Sequence, residues 1–258
     1  MGILEDKQKD QLKDIFSSLS GEVKILMFTQ EFECEHCKLT REMVEEVAGL
    51  SEKISVTVYD FVKDADEVRK YGVDKIPAIA LIGDRDYGIR FYGVPAGYEF
   101  TTLIEDIISV SQRDPGLSKE VLAELEKVDQ PVHLEVLISP TCPVCPGAVR
   151  MAHRFAMASD NITADMIETS EFPHLVNKYD VQGVPHTVIN EKDGFVGAAS
   201  ETEAINLILM SLGKKVPKEF LDTLKDQHEH EHEHEHHHHE KEPKKKKPAG
   251  KGGKGKKR

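Results

Sequence analysis

The sequence predicts an α/β protein of two tandem domains, each a mixed sheet flanked by helices, followed by a disordered C-terminal tail. Three observations support this architecture. The 258 residues leave room for two domains of ordinary size. A set of residues recurs at one domain-sized interval, and the composition changes abruptly near the C-terminus. The predicted domains span residues 1–115 and 116–226, and the predicted tail spans residues 227–258.

The repeat is clearest in two Cys-x-x-Cys motifs that start 108 residues apart. The two pairs are Cys34 with Cys37, and Cys142 with Cys145. In each half, a proline that follows a β-branched residue lies 43 residues after the first cysteine. These dipeptides are Ile76-Pro77 and Val184-Pro185. A repeat of this length indicates duplication of a whole domain rather than a solenoid.

Each half also shows the same order of apolar patterns. The first half predicts a helix near 12–19, a strand at 23–29, a helix at the cysteine motif, a strand at 54–61, a short helix at 65–71, strands at 78–82 and 89–92, and a helix at 103–110. The second half predicts the same elements at 121–128, 132–139, the second motif, 163–168, 172–179, 187–190, 195–198 and 204–212. This order has one crossover and one hairpin, which gives a mixed sheet. The joint at 113–116 is short, so the halves are expected to pack together.

Composition and charge narrow the setting of the protein. No apolar run approaches the roughly 18 residues of a membrane span, and the charged N-terminus lacks the apolar centre of a secretory signal. We therefore expect a cytoplasmic protein without a membrane partner. The net charge of −12 combines +9 on residues 243–258 with −21 on the remainder. An acidic body argues against nucleic acid as the main ligand, leaving only weak contact through the lysine-rich tail.

Four cysteines in two close pairs predict metal binding or redox chemistry in a cytosolic protein. Zinc ribbons separate their pairs by about 15–20 residues. Here 104 residues lie between Cys37 and Cys145, and each pair has its own fold unit. The spacing therefore favours thiol–disulfide exchange, with no metal site at the cysteines and no bound cofactor.

Exchange needs a thiolate and a second thiol that releases the mixed disulfide. A helix that starts at each motif would favour a thiolate at its N-terminus, so Cys34 and Cys142 are predicted to attack. The resolving thiols are then Cys37 and Cys145. Two residues between the cysteines are predicted to tune the sites: His36 by positive charge, and Pro143 by stiffening an early helical position.

The repeated prolines are predicted to have cis peptide bonds. Pro77 and Pro185 would each face the dithiol of their own half. The preceding backbone at Ile76 and Val184 would then bind an extended peptide substrate.

Charged residues near the cysteines support two further predictions. Glu31, Glu33 and Glu35 flank Cys34, whereas cations follow Cys142, which predicts Cys142 to be the main catalytic cysteine. The cations are Arg150, His153 and Arg154. In the preceding strand, the Glu135 carboxylate either takes the proton from Cys145 or is solvated or hydrogen-bonded elsewhere.

With these features, the chain resembles the protein disulfide oxidoreductases of thermophilic archaea and bacteria, glutaredoxin-like proteins of two thioredoxin folds. The likeness covers about residues 1–213 and includes Arg90-Phe-Tyr-Gly-Val-Pro-Ala-Gly-Tyr-Glu-Phe100 and Pro140-Thr-Cys-Pro-Val-Cys-Pro-Gly-Ala-Val-Arg-Met-Ala-His153. The resemblance implies reduction, oxidation and isomerisation of protein disulfides. It also implies recycling by a flavoenzyme of the thioredoxin-reductase type.

An alternative function is a redox-linked chaperone or peptide-binding module with a metal-chelating tail. Residues 228–240 alternate histidine with glutamate and hold eight of the 13 histidines, a composition that can chelate nickel, copper or zinc. A solvated tail without a specific partner explains the same composition. Insulin reduction separates the two functions, because a pure binding module would not accelerate it.

Overall fold

A computed structural model describes residues 2–224, and the predicted tail lies outside this range. The elements of the first half are α1 (Asp6–Phe16), β1 (Val23–Thr29), α2 (Cys37–Ala48), β2 (Ile54–Asp60), α3 (Ala65–Lys70), β3 (Ala78–Ile82), β4 (Asp86–Tyr92) and α4 (Glu99–Gln112). Those of the second half are α5 (Lys119–Leu125), β5 (Val132–Ile138), α6 (Cys145–Ala158), β6 (Ile162–Glu168), α7 (Pro173–Lys178), β7 (His186–Ile189), β8 (Asp193–Val196) and α8 (Glu201–Ser211). The predicted order of elements is confirmed in both halves.

The largest differences from the predicted bounds concern helices with polar first turns. Helix α1 begins at Asp6, before its apolar residues, because Glu5 and Gln8 form a capping box. Helix α4 begins at Glu99, four residues before the predicted start. Apolar periodicity marks the buried stripe of a helix and says little about a polar turn that precedes it.

The strands of both halves form one sheet of eight strands within the described residues, in the order β2-β1-β3-β4-β6-β5-β7-β8. The halves join through parallel pairing of β4 with β6, from Ile89 opposite Ala164 to Tyr92 opposite Ile167. In each half the strand before the cysteines runs parallel to the next strand in sequence. This arrangement confirms that the halves pack together. It also places β2 at a free edge of the sheet, whereas β6, its counterpart in the second half, lies in the interior of the sheet.

The two halves share part of their core. Leu26, Phe28 and Tyr92 of the first half pack in one buried cluster with Leu137 and Ile167 of the second. Residues 2–215 belong to one compact unit, and residues 218–224 form a short helical segment beyond it. The domain boundaries after residues 115 and 226 stay a prediction. None of the helices in residues 2–224 combines the length and apolar character needed to cross a membrane.

A loop at residues 93–98 adds to the contact between the halves, beside the pairing of β4 with β6 and the packing of α4 against α6. Gly93 and Gly97 both have left-handed backbone, with φ of 90° and 60°. A Cβ on Gly93 would lie 2.8 Å from Glu168 Cβ, and one on Gly97 would collide with the Pro140 carbonyl oxygen. The Tyr98 N–H also donates to that carbonyl, at 3.3 Å. Only glycine permits this close approach beside the second cysteine motif.

Gly97→Ala is expected to lower the free energy of unfolding by about 2 kcal/mol, because it adds a steric clash to a strained left-handed residue. Urea unfolding measures the change. Gly72→Ala is the matched control, since Gly72 has a φ of 64° and open space where the Cβ would stand. The control is expected to cost about 1 kcal/mol. Equal costs at the two positions would mean that the contact with Pro140 contributes nothing.

Candidate redox sites

The first site is the disulfide between Cys34 and Cys37, at the carboxyl end of β1. Cys34 is half-buried, whereas Cys37 is buried, with 2% of its surface exposed. Helix α2 begins at Cys37, with His36 as its N-cap residue. The helix therefore starts at the second cysteine, so the prediction that it starts with the motif is wrong by three residues. Cys34 lies in the turn that leads into the helix N-terminus.

The second site repeats this arrangement with a disulfide between Cys142 and Cys145. Cys142 is half-buried and Cys145 fully buried, and α6 begins at Cys145. Pro146 occupies the first turn of the helix, where its missing N–H has no intrahelical role. Pro143 precedes the N-cap residue Val144, so the predicted helical position for Pro143 is wrong. Both pairs thus expose the sulfur that is expected to attack and bury the one that is expected to resolve.

The peptide bonds Ile76-Pro77 and Val184-Pro185 are both cis, as predicted. The Val184 carbonyl oxygen lies 3.8 Å from Cys142 Sγ, which places this backbone beside the second disulfide. Each proline carbonyl accepts an N–H from a glycine that follows the adjacent hairpin strand. These bonds join Gly93 to Pro77 at 3.0 Å and Gly197 to Pro185 at 2.8 Å. The contact of Pro77 with its own dithiol stays a prediction.

The Glu135 carboxylate is hydrogen-bonded away from the cysteines. It is buried, and its Oε2 accepts the Tyr179 hydroxyl at 2.5 Å. The adjacent His133 ring contacts Asp165 at 2.7 Å. These bonds favour the alternative in which Glu135 is paired elsewhere rather than poised to take a proton from Cys145.

Glu99 is a buried carboxylate that sequence reasoning missed. It is fully buried at the start of α4, and its Oε2 accepts the Thr102 hydroxyl at 2.7 Å. Its Oε1 has no hydrogen-bond partner within the part of the chain that the structure describes. Burial, helped by nearby Asp106, raises the pKa of Glu99 to about 7, against the pull of His153. An acidic residue in the first turn of a helix is ordinarily exposed, so the position of Glu99 in the sequence did not indicate that it is buried.

The second half also contributes a carboxylate near the first site. Glu171 accepts the Val94 N–H at 2.7 Å through Oε1. Burial raises its pKa, Glu168 and Glu35 add to the rise, and His36 of the first site opposes it. The acidic surroundings of the first site are therefore partly built by the other half, which local sequence could not reveal.

The basic side chains that follow Cys142 each contact a carboxylate. The pairs are Arg150–Glu105 at 2.7 Å, His153–Asp106 at 2.5 Å and Arg154–Glu201 at 2.9 Å. A paired cation exerts a weaker field on a nearby thiolate than a free one. The charge argument for Cys142 as the main catalytic cysteine loses this support, and the ranking stays a prediction.

Two disulfides of this form, each between a strand end and a helix start and with a cis-proline loop in each half, define a duplicated dithiol–disulfide protein. The family model for the thioredoxin domain matches twice, at residues 22–105 and 132–210. The chain therefore belongs to the thioredoxin-domain family.

Solved structures and curated relatives extend this assignment. The chain is similar to a protein disulfide oxidoreductase from Aeropyrum pernix K1, with 27% identity, a TM-score of 0.76, and coverage of 84% of this chain and 98% of that one. It is also similar to the NTD_N/C domain of alkylhydroperoxide reductase AhpF from Enterococcus faecalis, with 25% identity, a TM-score of 0.74, and coverage of 80% and 99%. An NADH dehydrogenase of Bacillus subtilis strain 168 is 27% identical over 190 residues, which cover 73% of this chain but 34% of the relative. The chain thus spans about a third of the length of the curated relatives it matches.

Proposed function

We propose that this chain is a thiol–disulfide oxidoreductase that acts on protein disulfides through both sites. The observation that carries the proposal is the shared asymmetry of the two pairs, since exchange needs one accessible and one sheltered sulfur. A structural neighbour that is a protein disulfide oxidoreductase by name supports it.

The exchange proceeds in two steps at either site. The thiolate of Cys34 or Cys142 attacks a substrate disulfide, forms a mixed disulfide and releases one substrate thiolate. Cys37 or Cys145 then attacks the attached sulfur, releases the second substrate thiolate and closes the disulfide of the protein. Two electrons pass to the substrate, and its two thiolates take up two protons.

The surface of the second site suits an unfolded polypeptide. Three apolar side chains are exposed there: Val144 by 53%, Val196 by 60% and Tyr98 by 52%. Val144 lies between the cysteines, Val196 adjoins the glycine bonded to Pro185, and the Tyr98 backbone bonds Pro140. Val184, whose carbonyl faces Cys142, offers main-chain hydrogen bonds to an extended segment. Ile76 and Pro77 are proposed to do the same at the first site.

A reductant must restore the dithiols after each cycle. A flavoenzyme of the thioredoxin-reductase type in the cytoplasm is the proposed source of electrons. His36 and Pro143 are proposed to tune the two sites through charge and turn rigidity.

Insulin reduction with dithiothreitol tests the function. The protein is expected to shorten the lag before insulin precipitates, and the reduced protein after alkylation with iodoacetamide is the control. Equal lags with untreated and alkylated protein would contradict oxidoreductase activity and favour a binding module.

A further inference from the structure

An apolar groove of about 280 Å³ lies beside the first site, between the loop that precedes Cys34 and the loop that follows β2. Its two apolar side chains are strongly exposed, Phe32 by 78% and Val62 by 71%. Phe32 is two residues before Cys34, so a polypeptide joined to the Cys34 sulfur extends over the groove. Large apolar side chains exposed together in one groove mark an interaction surface.

Three carboxylates surround this groove and Cys34. Glu31 and Glu33 line the groove, Glu35 follows Cys34, and all three side chains are exposed. None of the three forms an ion pair with any residue in the range 2–224. The basic side chains of this region each lie beside another acid, in the pairs Lys38–Glu42 at 3.8 Å, Arg41–Glu45 at 2.7 Å and Lys63–Asp60 at 3.1 Å. The rim of the groove therefore carries negative charge that the protein does not balance.

The second site lacks this charge. Residues 139–144, which surround Cys142, contain no charged side chain. Its exposed apolar residues Val144 and Val196 are therefore not flanked by a row of carboxylates. The two halves thus present the same pair of sulfurs on surfaces of different charge, one acidic and one neutral, and such a difference selects between partners.

We propose that the first site prefers disulfides in cationic polypeptide segments, in which lysine or arginine flanks the cysteine and an apolar side chain occupies the groove. The proposal rests on the proposed function and names the substrate class of its first site. The basic side chains of the substrate pair with Glu31, Glu33 and Glu35, and its apolar side chain contacts Phe32 and Val62. Carboxylates around an apolar centre match such a segment in both charge and polarity.

A cationic segment also assists the chemistry at Cys34. The carboxylates around Cys34 disfavour its thiolate, and a bound cation offsets their field. The exchange itself is unchanged. Cys34 forms the mixed disulfide and releases one substrate thiolate, then Cys37 releases the other and closes the disulfide of the protein. Two electrons and two protons end on the substrate.

The test compares two synthetic peptides that share one internal disulfide and one leucine, flanked by lysines in the first peptide and by glutamates in the second. Single-turnover oxidation of the pre-reduced Cys142→Ser/Cys145→Ala variant is followed by acid quenching, alkylation and mass spectrometry. The lysine peptide is expected to react about tenfold faster at low salt, the size of two or three exposed ion pairs. The rate ratio is expected to fall toward one as salt is added, because exposed charges are screened.

Two sets of substitutions test the parts of the surface separately. Replacing Glu31, Glu33 and Glu35 together by glutamine is expected to lower the ratio below about three, because the ion pairs are lost. Phe32→Ser is expected to slow the lysine peptide about threefold through lost apolar contact. The same change is expected to leave the rate unaltered for a lysine peptide that has serine in place of leucine.

Two controls separate the surface from the net charge of the chain. Glutamine at Glu22, Glu52 and Glu126 removes three charges from exposed positions before β1, β2 and β5, and is expected to leave the ratio within a factor of about two. In a variant that keeps only the second site, neither triple substitution is expected to change the ratio. Equal rates for the two peptides, an equal fall with both triple substitutions, or no effect of Phe32→Ser would overturn the proposal. Failure of every variant to reduce insulin would instead contradict the proposed function.

Discussion

Replacing all four cysteines by serine is expected to return insulin reduction to the rate measured without protein, because serine supplies no thiolate. Replacing one pair at a time is expected to leave part of the activity, since each half has an exposed and a buried sulfur. The variant that keeps Cys142 and Cys145 is expected to retain the larger share. Glu31, Glu33 and Glu35 lie within three residues of Cys34 and disfavour its thiolate, whereas apolar side chains are exposed at both sites, including Phe32 and Val62 at the first.

Burial of the resolving cysteines requires a control for stability. Cys37 and Cys145 are 2% and 0% exposed, and a buried serine hydroxyl without a partner is destabilising. Alanine at these two positions, with serine kept at Cys34 and Cys142, separates loss of chemistry from loss of fold. Circular dichroism at the assay temperature verifies the fold. Full activity in either double variant would show that the missing site is structural or serves other substrates.

The fold of each half could be predicted because its signals are local. The cysteine motifs mark a strand end and a helix start, and a proline at a fixed distance marks the loop before the hairpin. The packing of the halves against each other could be predicted from the short joint, but the pairing of β4 with β6 could not. Strand β4 mixes apolar residues with Asp86 and Arg90, and nothing in this pattern indicates that β6 will pair with it. The loop after β4 can approach the second half closely because Gly93 and Gly97 have no side chain.

The differences between the two sites also could not be predicted, because they depend on contacts between the halves that are distant in sequence. The shift of 108 residues holds from the cysteines onward, but β1 and β5 are related by 109, so the first site has one extra residue before Cys34. Glu33 takes up that extra length with a left-handed backbone. Phe172 packs against Tyr92 of β4, whereas its counterpart Asp64 accepts the Asp60 N–H at the end of the edge strand β2 and stays half-buried. The local sequence at these positions does not indicate which strand or loop will pack beside them.

Glu99→Gln is expected to raise the free energy of unfolding at pH 8 by about 3 kcal/mol, the value that corresponds to a carboxyl pKa raised from 4.5 to about 7. Between these two pKa values the native state binds more protons than the unfolded state. The stability contributed by protonated Glu99 is therefore fully present below pH 4.5 and is lost as the pH rises through 7. Glutamine keeps an oxygen for the Thr102 hydroxyl and carries no charge, so it removes the penalty.

Urea unfolding of wild type and variant at pH 5 and pH 8 measures the effect. The gain is expected to fall below about 1 kcal/mol at pH 5, where wild-type Glu99 is largely protonated in the native state. Glu52→Gln makes the same chemical change on an exposed side chain and is expected to alter stability by less than about 0.5 kcal/mol at either pH. An equal effect of Glu99→Gln at both pH values would show that burial does not penalise this charge. Because α4 packs against α6, a pH-dependent effect would place a group that ionises near neutral pH at the contact with the helix of the second site.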